Sequence, residues 1–263
     1  MKAKSTKTVI FTDLDGTLLD EKYDYQDIKP IIDKLLVLNA SIVFCSSKTK
    51  AEIEFYRKEM RINDPFISEN GSAIFIPKGY FSVNYMYTKQ TSRYNIVELG
   101  IAYSMIRKKM GSLKARFAGK IIGFGDMTHE EIAKDSGLPL NLTKLARRRE
   151  YSEPFRIVEG DEKEIFLLIR EQRLSYTKGG RYFHLIGNSN KGKAVAILKD
   201  LYSETFSKLI TFGIGNSPND LSMLKVTDMP ILMRETPKKR ARCTVWKNIL
   251  DQVGASKIRR TNR

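Results

Sequence analysis

Two carboxylates, Asp13 and Asp15, stand one residue apart where the apolar run at residues 9–12 ends. On an extended chain residues i and i+2 share a face but stand about 7 Å apart, too far to converge on one atom. Both can serve one site only if the chain curls, and Gly16 follows to permit the curl. Held together they repel each other, and that repulsion calls for a cation; hard carboxylate oxygens suit Mg2+. One carboxylate beside Mg2+ and a lysine is competent to attack phosphorus and form an aspartyl-phosphate. The other can protonate the leaving oxygen and later activate water. A turn with a helix cap is the plainer reading of the same residues.

The elements that must position these groups are legible from periodicity. "KTVIFTDL" and "ASIVFCSS" read as buried strands. Between them "DIKPIIDKLLVLN" places Ile28, Ile31, Ile32, Leu35, Leu36 and Leu38 at helical spacing. "KTKAEIEFYRKEM" is a second helix, ending near Arg61, and "PFISENGSAIFIPKGY" is strand, turn, strand about Asn70-Gly71. The alternation returns late in the chain. "NKGKAVAILKDLYSETF" is a helix, "KLITFGIG" a strand, "SPNDLSMLKVT" a short helix and "DMPILM" a last strand. This predicts an α/β fold, a Rossmann-like parallel sheet covered by helices, formed by residues 1–82 and 187–263. Residues 83–186 interrupt it as an inserted α+β domain. That insertion has a helix near Val97 to Met110, a strand "KARFAG", a helix capped by Thr128, a helix "DEKEIFLLIREQRL" and a strand "RYFHLIG". Residues after about Gly254 are expected to lack fixed structure.

Composition bounds the function. The chain of 263 residues is 41% hydrophobic, enough for a large core, and no apolar run reaches membrane-span length. The basic start "MKAKSTKTVIF" is broken at Asp13 and makes a poor signal peptide. Two cysteines, Cys45 and Cys243, make no disulfide framework, so a cytoplasmic setting is expected. The net charge of +16 raises the question of nucleic acid. The basic clusters "IRKKM", "LARRRE", "PKKRAR" and "KIRRTNR" come with no zinc-ligand pattern and no aromatic RNA-binding motif. They read as a solvated surface that attracts small anions. Neither a nucleic acid nor a membrane partner is expected.

Ligands of open parallel sheets sit beyond the carboxyl ends of the strands. Asp13, Asp15, Ser46 and the loop "GNSPND" fall at such ends, as does the start of the "NKGK" helix if it packs beside them. Four stretches then resemble, in order, the motifs of the haloacid dehalogenase superfamily of phosphatases: "DLDGTLLD", "VFCSS", "SNKGKA" and "GIGNSPNDLSML". The insertion resembles the large α+β cap of its Cof-type subgroup. The resemblance implies Asp13 as nucleophile, Asp15 as acid and base, Ser46 as a donor to a phosphoryl oxygen and Lys191 as the balancing cation. It also implies Mg2+ held by Asp13, Asp15, Asn216 and Asp220. One departure stands out: the fourth motif usually begins Gly-Asp, and here it reads Gly215-Asn216. An amide oxygen still ligates Mg2+, without the charge.

More narrowly, "SSKTKAEIEFYRKEM", "PFISENGSAIFIPKGYF", "ARRREYSEPF" and "GRYFHLIGNSNKGKAV" are similar to the mannosyl-3-phosphoglycerate phosphatase family. That likeness implies hydrolysis of 2-O-mannosyl-3-phosphoglycerate to phosphate and mannosylglycerate, a compatible solute. Such an anionic sugar phosphate carries about three negative charges. Lys48, Arg149 and Arg181 are the candidate cations for it. Glu69, Asn70, Ser152, Glu153 and His184 are the candidate partners of its hydroxyls. The bland alternatives are a solvated helix face for Arg147 to Arg149, a satisfied strand histidine for His184 and a plain turn at Glu69–Gly71. Tyr182 and Phe183 read as core. The rival functions are a phosphatase for another sugar phosphate, such as glucosyl-3-phosphoglycerate or sucrose phosphate, and a basic binding protein on a retired phosphatase scaffold.

Overall fold

The computed structural model describes residues 3–117, 120–234 and 239–261. In chain order its elements begin β1 (Ala3–Thr12), α1 (Lys29–Val37), β2 (Ser41–Phe44), α2 (Lys50–Met60), β3 (Phe66–Ser68), β4 (Ala73–Pro77), β5 (Lys89–Gln90) and β6 (Tyr94–Glu98). Next come α3 (Tyr103–Arg116), β7 (Ile121–Gly123), α4 (His129–Ser136), α5 (Leu140–Ala146), β8 (Glu153–Ile157), α6 (Glu162–Glu171), β9 (Ser175–Gly179) and β10 (Tyr182–Ile186). The chain then closes through α7 (Lys191–Thr205), β11 (Phe206–Gly215), α8 (Leu221–Leu224), β12 (Met229–Leu232) and α9 (Lys239–Thr261).

The fold is α/β, with a parallel sheet of order β12-β11-β1-β2 at its centre. Side chains alternate across it. Val9, Phe11, Val43 and Cys45 pack towards Ala194, Val195 and Leu198 of α7. Ile10, Ile42 and Phe44 pack towards α1 and towards Trp246 and Ile249 of α9. The register brings three strand ends level: Thr12 sits opposite Phe44 on one side and Ile214 on the other. The residues that follow those ends therefore emerge at one rim, which is the reason Asp13, Ser46 and Asn216 can meet. A second sheet, β3-β4-β6-β5, is antiparallel and meets the first through an isolated parallel bridge between Cys45 and Ile67.

Within residues 83–186, β7-β8-β10-β9 form a third, antiparallel sheet. One face buries Phe155, Phe183 and Leu185 against Ile106, Met110 and Leu113 of α3 and Ile165 and Ile169 of α6. The alternation turns Pro154 and His184, which are paired in register, to the opposite face.

Some local expectations fail. The helix expected near Val97 to Met110 begins at Tyr103, because residues 94–98 pair with β4 as β6. The strand expected over "KARFAG" is instead the end of α3, where Ile106, Met110 and Leu113 continue one buried stripe; its residues 118–119 lie outside the described residues. Helix α9 continues past Gly254 to Thr261, where no fixed structure was expected. Two positions of "PKKRAR", 237 and 238, and the last two of the tail lie outside the described residues. Among the described residues no helix is long and apolar enough to cross a membrane.

Candidate active site

After β1 the chain curls as Gly16 permits: Gly16 has φ 72°, and Leu14 O accepts the amides of Thr17, Leu18 and Leu19. Asp13 and Asp15 thereby reach the floor of one cavity of about 550 Å³. Lys191, at the start of α7, donates from Nζ to Asp13 Oδ1 at 2.7 Å and to Asp220 Oδ1 at 2.6 Å. Asp220 Oδ2 accepts the amides of Asn216 and Ser217, which shapes the loop after β11. All three charged side chains are buried. Burial pushes the Asp13 carboxyl up to about 7, Lys191 pulls it back, and Asp220 and Asp15 add to the rise. Burial alone would lower Lys191; the two carboxylates outweigh it and hold the ammonium charged. Ser46, just past the end of β2, is fully buried, its Oγ accepting Lys48 N at 3.3 Å, and unlike Ser47 and Lys48 it does not line the cavity.

Lys48 lines the same cavity. Its Nζ stands 3.0 Å from Asp15 Oδ1, close enough for an ion pair but not aligned as a hydrogen bond, and 3.4 Å from Glu52 Oε1. The ring of Tyr23 lies 4.9 Å away. Glu52 is itself held by the capping box of α2: its Oε2 accepts Thr49 N and Thr49 Oγ1, and Thr49 Oγ1 also reaches Leu145 O of the insertion at 2.9 Å.

The insertion supplies the rest of the wall. Arg149 lines the cavity with its side chain 4% exposed; its Nε donates to Ala146 O and its Nη1 to Ser47 O. Arg181 also lines the cavity but is exposed, near the carbonyls of Asp135 and Ser136. His184 lines it and is buried; desolvation first, then Arg149 and Lys191, hold its pKa down at about 3, so the ring is neutral. Tyr182, expected in the core, is half-buried and lines the cavity beside Phe124, ring centroids 4.9 Å apart.

Three other candidates stand behind the wall. Glu69 is fully buried and accepts the amides of Glu150 and Tyr151 and the hydroxyl of Ser152. Glu153 accepts Tyr103 Oη, Arg107 Nη1 and Gly125 N, which fixes the turn that presents Phe124. None of Glu69, Ser152 and Glu153 is among the residues that line the cavity. The Asn70-Gly71 turn forms as expected, with Glu69, Asn70 and Gly71 at φ 48°, 60° and 88°. A Cβ on Gly71 would overlap the Asn190 carbonyl, so this glycine lets the turn seat directly under the start of α7. Asn70 Oδ1 accepts Asn219 Nδ2 at 2.9 Å.

Sequence reasoning passed over Tyr23, Phe124, Gly179, Asn219 and Arg242, all of which line the cavity. A signal existed for Arg242. It falls in a basic cluster that reads as solvated, yet Arg242, Trp246, Ile249 and Val253 are spaced as one buried helical stripe, and Arg242 pairs with Asp27 at 2.6 Å. Asn219 sits in the loop "GNSPND" that the strand ends already marked; nothing in the sequence alone marks Tyr23, Phe124 and Gly179. Among the described residues no group of three or more His, Cys, Asp or Glu has the geometry of a ready metal site.

The model of the haloacid dehalogenase-like hydrolase family matches residues 10–109 and 117–248. A glucosyl-3-phosphoglycerate/mannosyl-3-phosphoglycerate phosphatase from Methanococcoides burtonii is 43% identical over 236 residues, covering 89% of this chain and 87% of its own. A mannosyl-3-phosphoglycerate phosphatase from Pyrococcus horikoshii is 41% identical over 233 residues, covering 89% and 93%. A solved phosphatase of the haloalkanoate enzyme superfamily from Bacteroides thetaiotaomicron superposes with a TM-score of 0.63 over 94% of this chain and 95% of its own. At 18% identity that structure speaks for the fold alone.

Proposed function

We infer that the chain, which belongs to the haloacid dehalogenase-like hydrolases, is a phosphatase whose substrate is 2-O-mannosyl-3-phosphoglycerate or its glucosyl counterpart. The observation that carries the chemistry is the buried Lys191 ammonium between Asp13 and Asp220, directly behind the Asp13 that lines a cavity large enough for a small sugar ester. The substrate rests on the names of the relatives.

The donor set suits a hard divalent ion such as Mg2+. Asp13 and Asp15 offer carboxylate oxygens, Asp15 Oδ1 having no hydrogen bond but an ion pair with Lys48 Nζ at 3.0 Å, and Asn216 lines the cavity with an amide oxygen that accepts Ser217 Oγ at 3.0 Å. Asp220 is committed to Lys191 and to two amides, so it orders the loop that carries Asn216. When bound, such an ion neutralises phosphoryl oxygens and orients the nucleophile.

The residues of the chain divide the reaction between them. Asp13 forms the new oxygen–phosphorus bond as the bond from phosphorus to the glycerate oxygen breaks, and Asp15 gives that oxygen its proton. Lys191, whose bond to Asp13 is already made, and Ser46 meet the charge on the phosphoryl oxygens. Water then attacks phosphorus, Asp15 takes up its proton, and Asp13 is released with phosphate. Lys48 holds Asp15 from one side, and Arg149 and Arg181 present cations to the glycerate carboxylate. Within residues 83–186, the part built around the third sheet acts as the cap that closes over the sugar, while β5 and β6 stay in the second sheet. Glu69, Ser152 and Glu153 shape the wall from behind. Phosphate release from mannosyl-, glucosyl- and unglycosylated 3-phosphoglycerate and from sucrose phosphate tests this. The glycosyl phosphoglycerates are expected to lead in kcat/KM; sucrose phosphate in front, or no turnover with Mg2+, overturns it.

A further inference from the structure

We propose that Gly179, His184, Asn219 and Asn70 form a hydroxyl-binding slot for the sugar ring on the wall where the insertion meets the core. The inference deepens the proposed function and rests on it for the identity of the sugar. Asn219, on the loop after β11, spends Nδ2 on Asn70 Oδ1. That leaves Asn70 Nδ2 and Asn219 Oδ1 buried without partners, and His184 Nδ1 is a third such atom. Turning both amides over exchanges their labels but still leaves one donor and one acceptor. Asn70 and His184 are more than nine-tenths buried, and His184 and Asn219 line the cavity.

Unpaired buried polar atoms are disfavoured, so such atoms on Asn219 and His184, which line the cavity, and on Asn70 behind Asn219 point to a ligand that completes them. A phosphate or carboxylate could satisfy the donor but would face Asn219 Oδ1 oxygen to oxygen. A hydroxyl both donates and accepts, and the neutral imidazole likewise carries one donor and one acceptor nitrogen. The wall therefore fits an uncharged polyol, the part of a glycosyl phosphoglycerate that the cations do not recognise.

Gly179 supplies the space. A Cβ there would lie 3.1 Å from Asn219 Nδ2 and 3.7 Å from His184 Nε2, inside the slot. Its backbone is not in the left-handed region, unlike Gly180 beside it, so the turn does not require glycine at this position. The missing side chain is explained by the room that it leaves. Because β9 and β10 carry Gly179 and His184 while Asn70 and Asn219 belong to the core, the slot is complete only with the insertion docked.

The test is Gly179→Ala. KM for mannosyl-3-phosphoglycerate is expected to rise about tenfold or more, while kcat/KM for p-nitrophenyl phosphate, which has no sugar, stays within about twofold. Calorimetric titration with mannosylglycerate should show the same loss of affinity in the absence of turnover. An unchanged KM for the mannosyl ester, or equal losses on both esters, overturns the slot. Should the alanine variant fail to fold, His184→Leu takes its place; the same measurements are made, and the same results support or overturn the slot. If the wild type itself shows no preference for glycosyl esters, the proposed function fails, and binding of mannosylglycerate alone then decides the slot.

Discussion

Behind Asp13 at the floor of the cavity, Lys191 bridges Asp13 and Asp220 by hydrogen bonds of 2.7 and 2.6 Å, all three side chains buried. On the wall beneath the insertion, Asn70, Asn219 and His184 each leave a buried polar atom without a partner. Asn70 and His184 are as buried as the floor and Asn219 is half-buried, so exposure alone does not separate the two regions. What differs is when their groups are satisfied. The floor is organised before substrate arrives, as donors must be if they are to stabilise charge that develops during reaction. The wall is completed only by what binds there. One end of the cavity is therefore built for the phosphoryl group, which every substrate of this chemistry shares, and the other for the part that distinguishes one ester from another.

The comparison can be broken hardest at the floor. Asp13→Asn removes the nucleophile while keeping its shape, and steady-state phosphate release should fall at least about a thousandfold. Retained turnover in the purified variant would end the mechanism. Lys191→Met leaves Asp13 and Asp220 facing each other without their cation; kcat is expected to drop on the order of a hundredfold or more, and the melting temperature should fall with it. Behind the wall, Glu69→Ala strips the acceptor from Glu150 N, Tyr151 N and Ser152 Oγ. Leaving those donors unpaired should cost about 2–5 kcal/mol in urea unfolding. If the loss were below about 0.5 kcal/mol, the buried carboxylate would not be the clamp that it is taken for.

A smaller effect follows from His184. An unfolded chain protonates histidine near pH 6.5, whereas folded His184 stays neutral down to about 3. Below about pH 6.5 the unfolded state thus binds one more proton at this residue than the folded state. Its contribution to stability is present above that pH and is lost as the pH falls, at up to about 1.4 kcal/mol per unit. His184→Gln should flatten this part of the stability profile between pH 6 and pH 4, read from urea midpoints, and an unchanged slope would refute it. The smallest effect is expected at Asn216→Asp, where restored charge should lower the Mg2+ concentration for half-maximal activity a few-fold. An unchanged Mg2+ dependence would remove Asn216 from the ligand set.

How far the sequence could be read depended on range. The ends of β1, β2 and β11 were legible because uninterrupted apolar runs stop at Asp13, Ser46 and Asn216, and each run carries its own signal. The cap of α4 was equally local: Thr128 closes a capping box with Glu131 three residues on, whereas the like box of Thr49 and Glu52 on α2 was passed over. Inside the insertion the reading slipped. Residues 94–98 alternate as a strand, but only pairing with β4 makes them one, and Arg116 ends a helix whose buried stripe faces α6 and the third sheet. Glu153 and Ser152 carry sugar-binding chemistry by type and lie behind the cavity wall by placement, because Tyr103, Arg107 and Glu69 reach them first.

By itself the sequence determined the chemical alphabet and its grouping: two aspartates at one strand end, a hydroxyl at another, a lysine opening a helix and a polar loop after a third strand. Periodicity and residue type are local properties, and they suffice for that. Tertiary structure alone decided which side chains spend their hydrogen bonds on one another and which keep an edge turned to the cavity. Lys191 meets Asp13 across 178 positions of chain, and Asn219 meets Asn70 across 149. No local pattern encodes such pairs; they arise from level strand ends in a parallel sheet and from the Asn70-Gly71 turn seated against the start of α7.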